Sequence, residues 1–165
     1  MADITLTDRL QPSLLDRLTD QDPDSLKETR DSRVIDIRRL RDIIQRDLSW
    51  LLNTNNNESG LDPVRYPNVA HSVLNYGVRE VAGEFSSVEK AEQIRLSVLR
   101  AIERFEPRLE KGSCEVEFRA SEGNGDSVVT FDIRAFMWAQ PLPMELYLRS
   151  QTDITTGEFK LERKM

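Results

Sequence analysis

The chain has 165 residues, 38% of them hydrophobic and 32% charged, with a formal net charge of −6. That length is enough for one domain with its own core, and the acidic balance argues against general binding to nucleic acid or anionic lipid, which needs a basic footprint. Cys114 is the single cysteine, so no intrachain disulfide can form and no oxidising-compartment signature is visible. No basic leader followed by an apolar stretch opens the chain, and no apolar run approaches the ~20 residues of a membrane span. A cytoplasmic protein without membrane insertion is expected.

Residues 1–32 read as a polar, acidic arm. Within it Ser13-Leu14-Leu15-Asp16-Arg17-Leu18 suits one or two helical turns capped by Ser13, with Leu14, Leu15 and Leu18 on one side. Such an apolar patch anchors either on its own domain or on a neighbour. Residues 33–165 read as the domain proper. Its clearest helix spans 33–52, with Ile37, Leu40, Ile44, Leu48 and Leu51 on one face and Asp31 or Ser32 as cap. The run Asn53 to Gly60 ends it. A proline-punctuated crossing, Asp62 to Pro67, leads to a short helix from about Val69 to Tyr76, closed by Gly77. The next helix runs from about Ser87 to Phe105, with a Ser86/Glu89 capping box and a stripe of Ala91, Ile94, Val98, Ala101, Ile102 and Phe105. Pro107 stops it.

Thereafter the period changes to two. Cys114, Val116 and Phe118, then Val129, Phe131, Ile133 and Ala135, then Met144, Leu146 and Leu148 alternate with polar residues, as half-buried strands do. Glu122 to Asp126 suits a hairpin turn, Gln140 to Pro143 a second connection, and Asp153 to Gly157 a turn into a short strand near Glu158 to Leu161. The expected fold is α+β: N-terminal helices packed on one face of a C-terminal antiparallel β-meander.

Chemistry-bearing residues are sparse. Arg33, Arg38, Arg39, Arg41 and Arg46 are interleaved with Asp36, Asp42 and Asp47. The Arg38–Asp42 and Asp42–Arg46 spacings fit a charge-balanced helix face better than a nucleic-acid stripe. His71 is the single histidine and has no partner at metal-ligand spacing. Cys114, on an inward strand position, reads as a buried structural thiol. A glycosidase would need two carboxyls about 5 to 9.5 Å apart, one kept protonated by an apolar pocket. Glu103, Glu106 and Glu110 instead lie among Arg104, Arg108 and Lys111, which favour ionised carboxylates. The remaining feature is the corner Phe105-Glu106-Pro107-Arg108-Leu109. Proline forces Glu106 toward extended geometry, so Glu106 and Arg108 point to similar sides and offer an acid and a base on a stiff backbone. It is either a docking corner or a plain helix stop with two surface charges.

Several segments together resemble the TssE family of type VI secretion baseplate subunits, which is similar to the lysozyme-like wedge proteins of contractile phage baseplates. They are Ser13 to Leu18, Arg46 to Thr54, Ser72 to Gly77, Ile102 to Leu109, Pro141 to Arg149 and the Asp153 to Gly157 turn. The resemblance implies a structural wedge subunit with no catalytic residue, metal or cofactor. It implies the wedge subunits TssF, TssG and TssK as partners, with Glu106, Pro107 and Arg108 contacting the wedge core. It further implies that the sheet meets sheath subunits TssB and TssC by strand addition and helps to start sheath assembly. The baseplate would dock at the inner membrane complex. A lysozyme-like peptidoglycan glycosidase is the alternative, and an unrelated small binding domain a third reading.

Overall fold

The computed structural model describes residues 13–20, 23–24, 35–80, 88–119, 128–137 and 143–163. A five-residue helix α1, Leu14–Leu18, precedes α2, Ile37–Leu52. Two short pieces follow, a 3-10 turn at Glu58–Gly60 and α3 at Pro67–Ala70. A second 3-10 turn, Val73–Asn75, then leads to α4, Val88–Phe105. Four strands follow among the described residues: β1 Glu115–Arg119, β2 Val128–Met137, β3 Met144–Asp153 and β4 Phe159–Arg163. They pair antiparallel in the order β1-β2-β3-β4, so the α+β meander expected from the periodicity is present.

The helical stripes account for the packing. Leu40, Ile44, Leu48 and Leu51 of α2 and Ala91, Ile94, Val98, Ala101 and Ile102 of α4 are buried. They share one core with Val116, Val129, Phe131, Ile133, Ala135 and Leu148 of the sheet. Each fully buried aliphatic or aromatic side chain of this set contributes roughly 1.5–3 kcal/mol through removal from water. Ile37 and Phe105 pack at its margin. Both helices thus cover one sheet face.

Three local expectations change. Helix α2 is capped by Asp36, whose Oδ1 accepts from Arg39 N at 2.7 Å; Asp31 and Ser32 lie outside the described residues, as do the Ser86/Glu89 box and the Glu122 to Asp126 turn. The single helix expected from Val69 to Tyr76 is two pieces. Ser72 Oγ accepts from Leu74 N at 3.2 Å and breaks the run, and Asn75 Nδ2 donates to Ala70 O at 3.2 Å. Gly77 follows the 3-10 turn at φ 113°, and a Cβ there would sit 2.0 Å from Thr54 O. The close approach lets Thr54 O accept from Val78 N and Val78 O accept from Asn56 N, at 2.9 and 2.8 Å. Phe118, expected to be inward, is 50% exposed because β1 is an edge strand, although its ring still meets Phe131 edge-on.

The predicted Arg38–Asp42 and Asp42–Arg46 pairs also give way to longer-range ones. Asp42 pairs with Arg163 of β4, and Arg46 with Asp16 and Asp47. On the open sheet face Asp132 is 2% exposed. It accepts from Arg119 Nε at 2.5 Å, Arg149 Nε at 2.9 Å and Tyr147 Oη at 2.9 Å.

Candidate functional site

Helix α4 ends where Pro107 forbids another turn. Glu106 N still donates to Ile102 O at 2.9 Å, and Leu109 N returns to Glu106 O at 3.2 Å, making a tight corner. Leu109 is buried and bridges to Met137, while Glu110 N donates to Phe136 O at 2.8 Å. The corner is therefore stitched to β2, and Phe105 stacks edge-on against Tyr76 with centroids 5.1 Å apart.

Glu106 and Arg108 do point to the same side, but they point at each other. Glu106 Oε1 accepts from Arg108 N at 3.1 Å and Arg108 Nε at 2.6 Å, and Oε2 accepts from Arg108 Nη2 at 2.5 Å. This bidentate, charge-assisted geometry is the strong form of the pair. Glu106 is only 5% exposed, so it is an internal partner for Arg108. Pro107 forms the exposed tip.

The pair continues into α2. Arg108 Nη2 also donates to Asp47 Oδ2 at 2.7 Å. Asp47 Oδ1 accepts from Arg46 Nη2 at 2.7 Å, and Arg46 Nη1 donates to Asp16 Oδ1 at 2.6 Å. Five side chains thus make one ionic ladder, Glu106–Arg108–Asp47–Arg46–Asp16, from the corner to α1. Burial disfavours the charged Arg108, but Glu106 and Asp47 outweigh it and raise its pKa. Bonding to Arg46 lowers the pKa of Asp16. Burial, with the Asp47 and Glu106 charges, raises that of the neighbouring Tyr76. Arg108 Nη1 has no partner among the described residues.

Sequence patterning reached Glu106, Pro107 and Arg108 but missed Asp47, Arg46 and Asp16 as members of the same cluster. The shared helix face of Arg46 and Asp47 with the corner depends on how α2 crosses α4, which periodicity does not encode. Glu103 and Glu110 are exposed, and Glu106 sits against a guanidinium rather than in an apolar acid pocket. His71 is exposed at the rim of a cleft of about 240 Å³ that also includes Asn75, Arg100 and Arg104. Asn75 and Arg104 both donate to Ala70 O there, so these groups hold α3 in place. Cys114 is buried, and burial together with Glu103 and Glu115 pushes its thiol up to about 12. Among the described residues no three His, Cys, Asp or Glu side chains are grouped to hold a metal ion, and no helix is long and apolar enough to cross a membrane.

The two sheet edges differ. On β4, the Asn53 side chain accepts from Phe159 N and donates to Phe159 O, each at 2.9 Å, and Gln45 Nε2 donates to Leu161 O at 3.2 Å. Side chains of α2 and of its C-cap Asn53 thereby engage that edge. On β1, Arg95 Nη1 donates to Val116 O at 3.2 Å.

Searches among curated proteins and among solved structures find no match. One family model does match, that of the baseplate wedge protein gp25, over residues 38–142. That span takes in nearly all of α2, the corner with its Arg46, Asp47, Glu106 and Arg108, and the first two strands, and the chain belongs to the baseplate wedge protein gp25 family.

Proposed function

We propose that this chain is a non-enzymatic subunit of a type VI secretion baseplate wedge that links the wedge core to the contractile sheath and helps to start sheath assembly. Family membership makes it a baseplate structural component. The type VI context rests on the resemblance of the segments around Leu14, Trp50, Asn75, Glu106 and Tyr147. TssF, TssG and TssK are the wedge partners in this reading, and TssB and TssC the sheath partners. The working location is the cytoplasm, in a baseplate docked at the inner membrane complex.

The corner carries the proposal. Glu106 and Asp47 fix the Arg108 fork through Nε and Nη2. Nη1 is left to donate to a carbonyl or carboxylate of a wedge partner. A donor held this way loses little side-chain entropy when the partner arrives. For the sheath contact, β1 is the edge we assign to strand addition, since Gln45 of α2 and Asn53 just after it bond three backbone groups of β4, whereas Arg95 bonds a single one on β1.

Binding of purified wedge subunits to Arg108→Ala and Pro107→Glu proteins tests the corner, with thermal melts run alongside. Pro107 is exposed and its ring offers no hydrogen bond, so Pro107→Glu leaves the ladder's charges in place. Both variants should bind at least tenfold more weakly while folded. Unchanged binding by both would remove the corner from the account. For the glycosidase alternative, clearing of purified cell wall that is lost in Glu103→Gln or Glu106→Gln would replace the structural reading.

A further inference from the structure

Strand β1 pairs with β2 alone, and the bonds around Phe136 identify which of its backbone groups are left over. Phe136 N donates to Ser113 Oγ at 3.0 Å, and Phe136 O accepts from Glu110 N at 2.8 Å. Both backbone groups of Phe136 thus turn toward the segment that runs into β1. Backbone groups alternate sides along a strand, so those of Arg134, Asp132 and Thr130 turn the same way. Their register partners are Glu115, Glu117 and Arg119. These three carry the bonds to β2, and Val116 and Phe118 turn their N–H and C=O groups outward at the sheet edge.

One of the outward groups is taken. Val116 O accepts from Arg95 Nη1 at 3.2 Å, whereas Val116 N and both backbone groups of Phe118 have no partner among the described residues. Arg95 reaches over from α4, where Glu92 clamps it: Nε and Nη2 donate to Glu92 Oε2 and Oε1 at 2.7 and 2.6 Å. A bidentate ion pair is stronger than one hydrogen bond at the long end of the range. The guanidinium is therefore held firmly to its own helix and lightly to the strand.

Phe118 supplies an apolar counterpart. It stands opposite buried Phe131 on the core side of β1, yet it is 50% exposed, since β1 has no strand on its outer side among the described residues. A strand laid along that side would bring a side chain beside the Phe118 ring, and aromatic residues paired across strands with apolar ones stabilise a sheet.

We infer that Glu92 and Arg95 form a latch on the β1 edge, in which Arg95 occupies the Val116 acceptor until an extended strand with an apolar residue beside Phe118 displaces it. The inference rests on the strand-addition reading of β1 and names the regulation of that site. Pairing there is an exchange. An N–H of the incoming strand donates to Val116 O in place of Arg95 Nη1, and its carbonyls accept from Val116 N and Phe118 N. Arg95 swings aside on its pair with Glu92, so neither charge is stranded. Until then the guanidinium blunts an edge that is open to other extended chains, as charged side chains do at sheet edges generally. The fraction of molecules with the latch open then scales the apparent affinity for the strand.

The test uses the full chain and purified sheath subunits, with melts and sedimentation run alongside. Arg95→Met keeps the aliphatic stem and cannot donate. It should bind the sheath subunits about three- to tenfold more tightly, through faster association, at a nearly unchanged melting temperature. Glu92→Ala, which loosens the clamp, should shift binding the same way by a smaller factor. Arg100→Ala removes a cation from the same helix, at the cleft beside His71, and should bind as wild type. Phe118→Lys keeps the backbone groups of the edge and should weaken binding by about tenfold or more. Weakened binding by Phe118→Lys beside wild-type or weaker binding by Arg95→Met would overturn the latch and leave strand addition standing. Unchanged binding by both would overturn strand addition at β1 and the latch with it. An equal gain in Arg100→Ala would assign the effect to lost charge and overturn the latch. Self-association of Arg95→Met without tighter sheath binding would make a second copy of the chain the strand held off, and would overturn the sheath as occupant.

Discussion

Asp47 and Arg108 are 61 positions apart in the chain and 2.7 Å apart in space. Their contact joins α2 to the corner after α4, and it turns a local acid–base pair into a cluster. Arg108 is the shared member: its Nη2 serves both Glu106 and Asp47. The corner is thus a rigid part of the fold as well as a proposed contact.

Arg108→Ala should therefore cost stability as well as binding. It leaves Glu106, at 5% exposure, with a carboxylate that has lost its counter-charge. Arg108 is itself about a quarter exposed, so the loss should be about 2–3 kcal/mol, somewhat below that of a fully buried pair. Glu106→Gln should cost less, since an amide still accepts from Arg108. Urea denaturation of both single variants and the double variant measures this. The double variant should be less destabilised than the two singles combined, by about 1–2 kcal/mol. Additive losses would mean that the pair contributes nothing as a pair.

Gly77→Ala should be among the most damaging single-atom additions in the protein. The φ of 113° disfavours any side chain, and the new Cβ would lie 2.0 Å from the Thr54 carbonyl oxygen. That oxygen accepts from Val78 N, so it cannot retreat without breaking the Asn55–Val78 bridge. A loss of at least ~2–3 kcal/mol is expected, read as a lowered melting temperature. A melt within a degree of wild type would show that this crossing is not held as described.

Asp132 should give the protein an acid-labile sheet face. Burial pushes its pKa up, but hydrogen bonds from Arg149, Arg119 and Tyr147 outweigh that and bring it from 3.8 to about 2. The folded state thus holds the ionised form more strongly than the unfolded state does. The resulting stability is fully present above about pH 5 and is lost as pH falls toward 2. With screening at the exposed Arg119, about 1–2 kcal/mol is expected. Denaturation series at pH 5.5 and pH 2.5 should differ less in Asp132→Asn than in wild type. An equal pH dependence would assign the effect to other carboxylates.

How much of this was legible in the chain varies by kind of information. The stripes of α2 and α4 and the alternation of β2 and β3 are local periodicities, and they placed the core correctly. Leu48 and Ile133 can be assigned to it from their neighbours alone. The split between Ala70 and Val73 was hidden because a serine cap at Ser72 overrides a continuous apolar pattern. Burial of Asp132 and Thr130 at polar strand positions was hidden because it depends on cover from side chains of neighbouring strands. At the corner, residue types and the turn were readable, while the direction of Arg108 was not. That direction is set by Asp47, and nothing in the spacing of the two residues announces it.

Two buried side-chain oxygens of the core have no hydrogen-bond partner among the described residues. Ser150 and Thr152 lie on the core-facing side of β3, each 0% exposed, and neither hydroxyl has a hydrogen-bond partner among the described residues. Thr152 sits opposite Val129 on β2 and Phe159 on β4, so its surroundings are apolar. A buried hydroxyl that makes no hydrogen bond has lost its water partners without replacement. Valine has nearly the same shape and the same β-branched fit to a strand. Thr152→Val should thus stabilise the protein by about 1 kcal/mol, against the usual direction of core substitutions. Ser150→Ala should gain less, because losing the hydroxyl also leaves a small void beside Phe131. Chemical denaturation ranks the three proteins directly. A less stable Thr152→Val protein would mean that the Thr152 hydroxyl is paired in solution, with a buried water as the candidate partner.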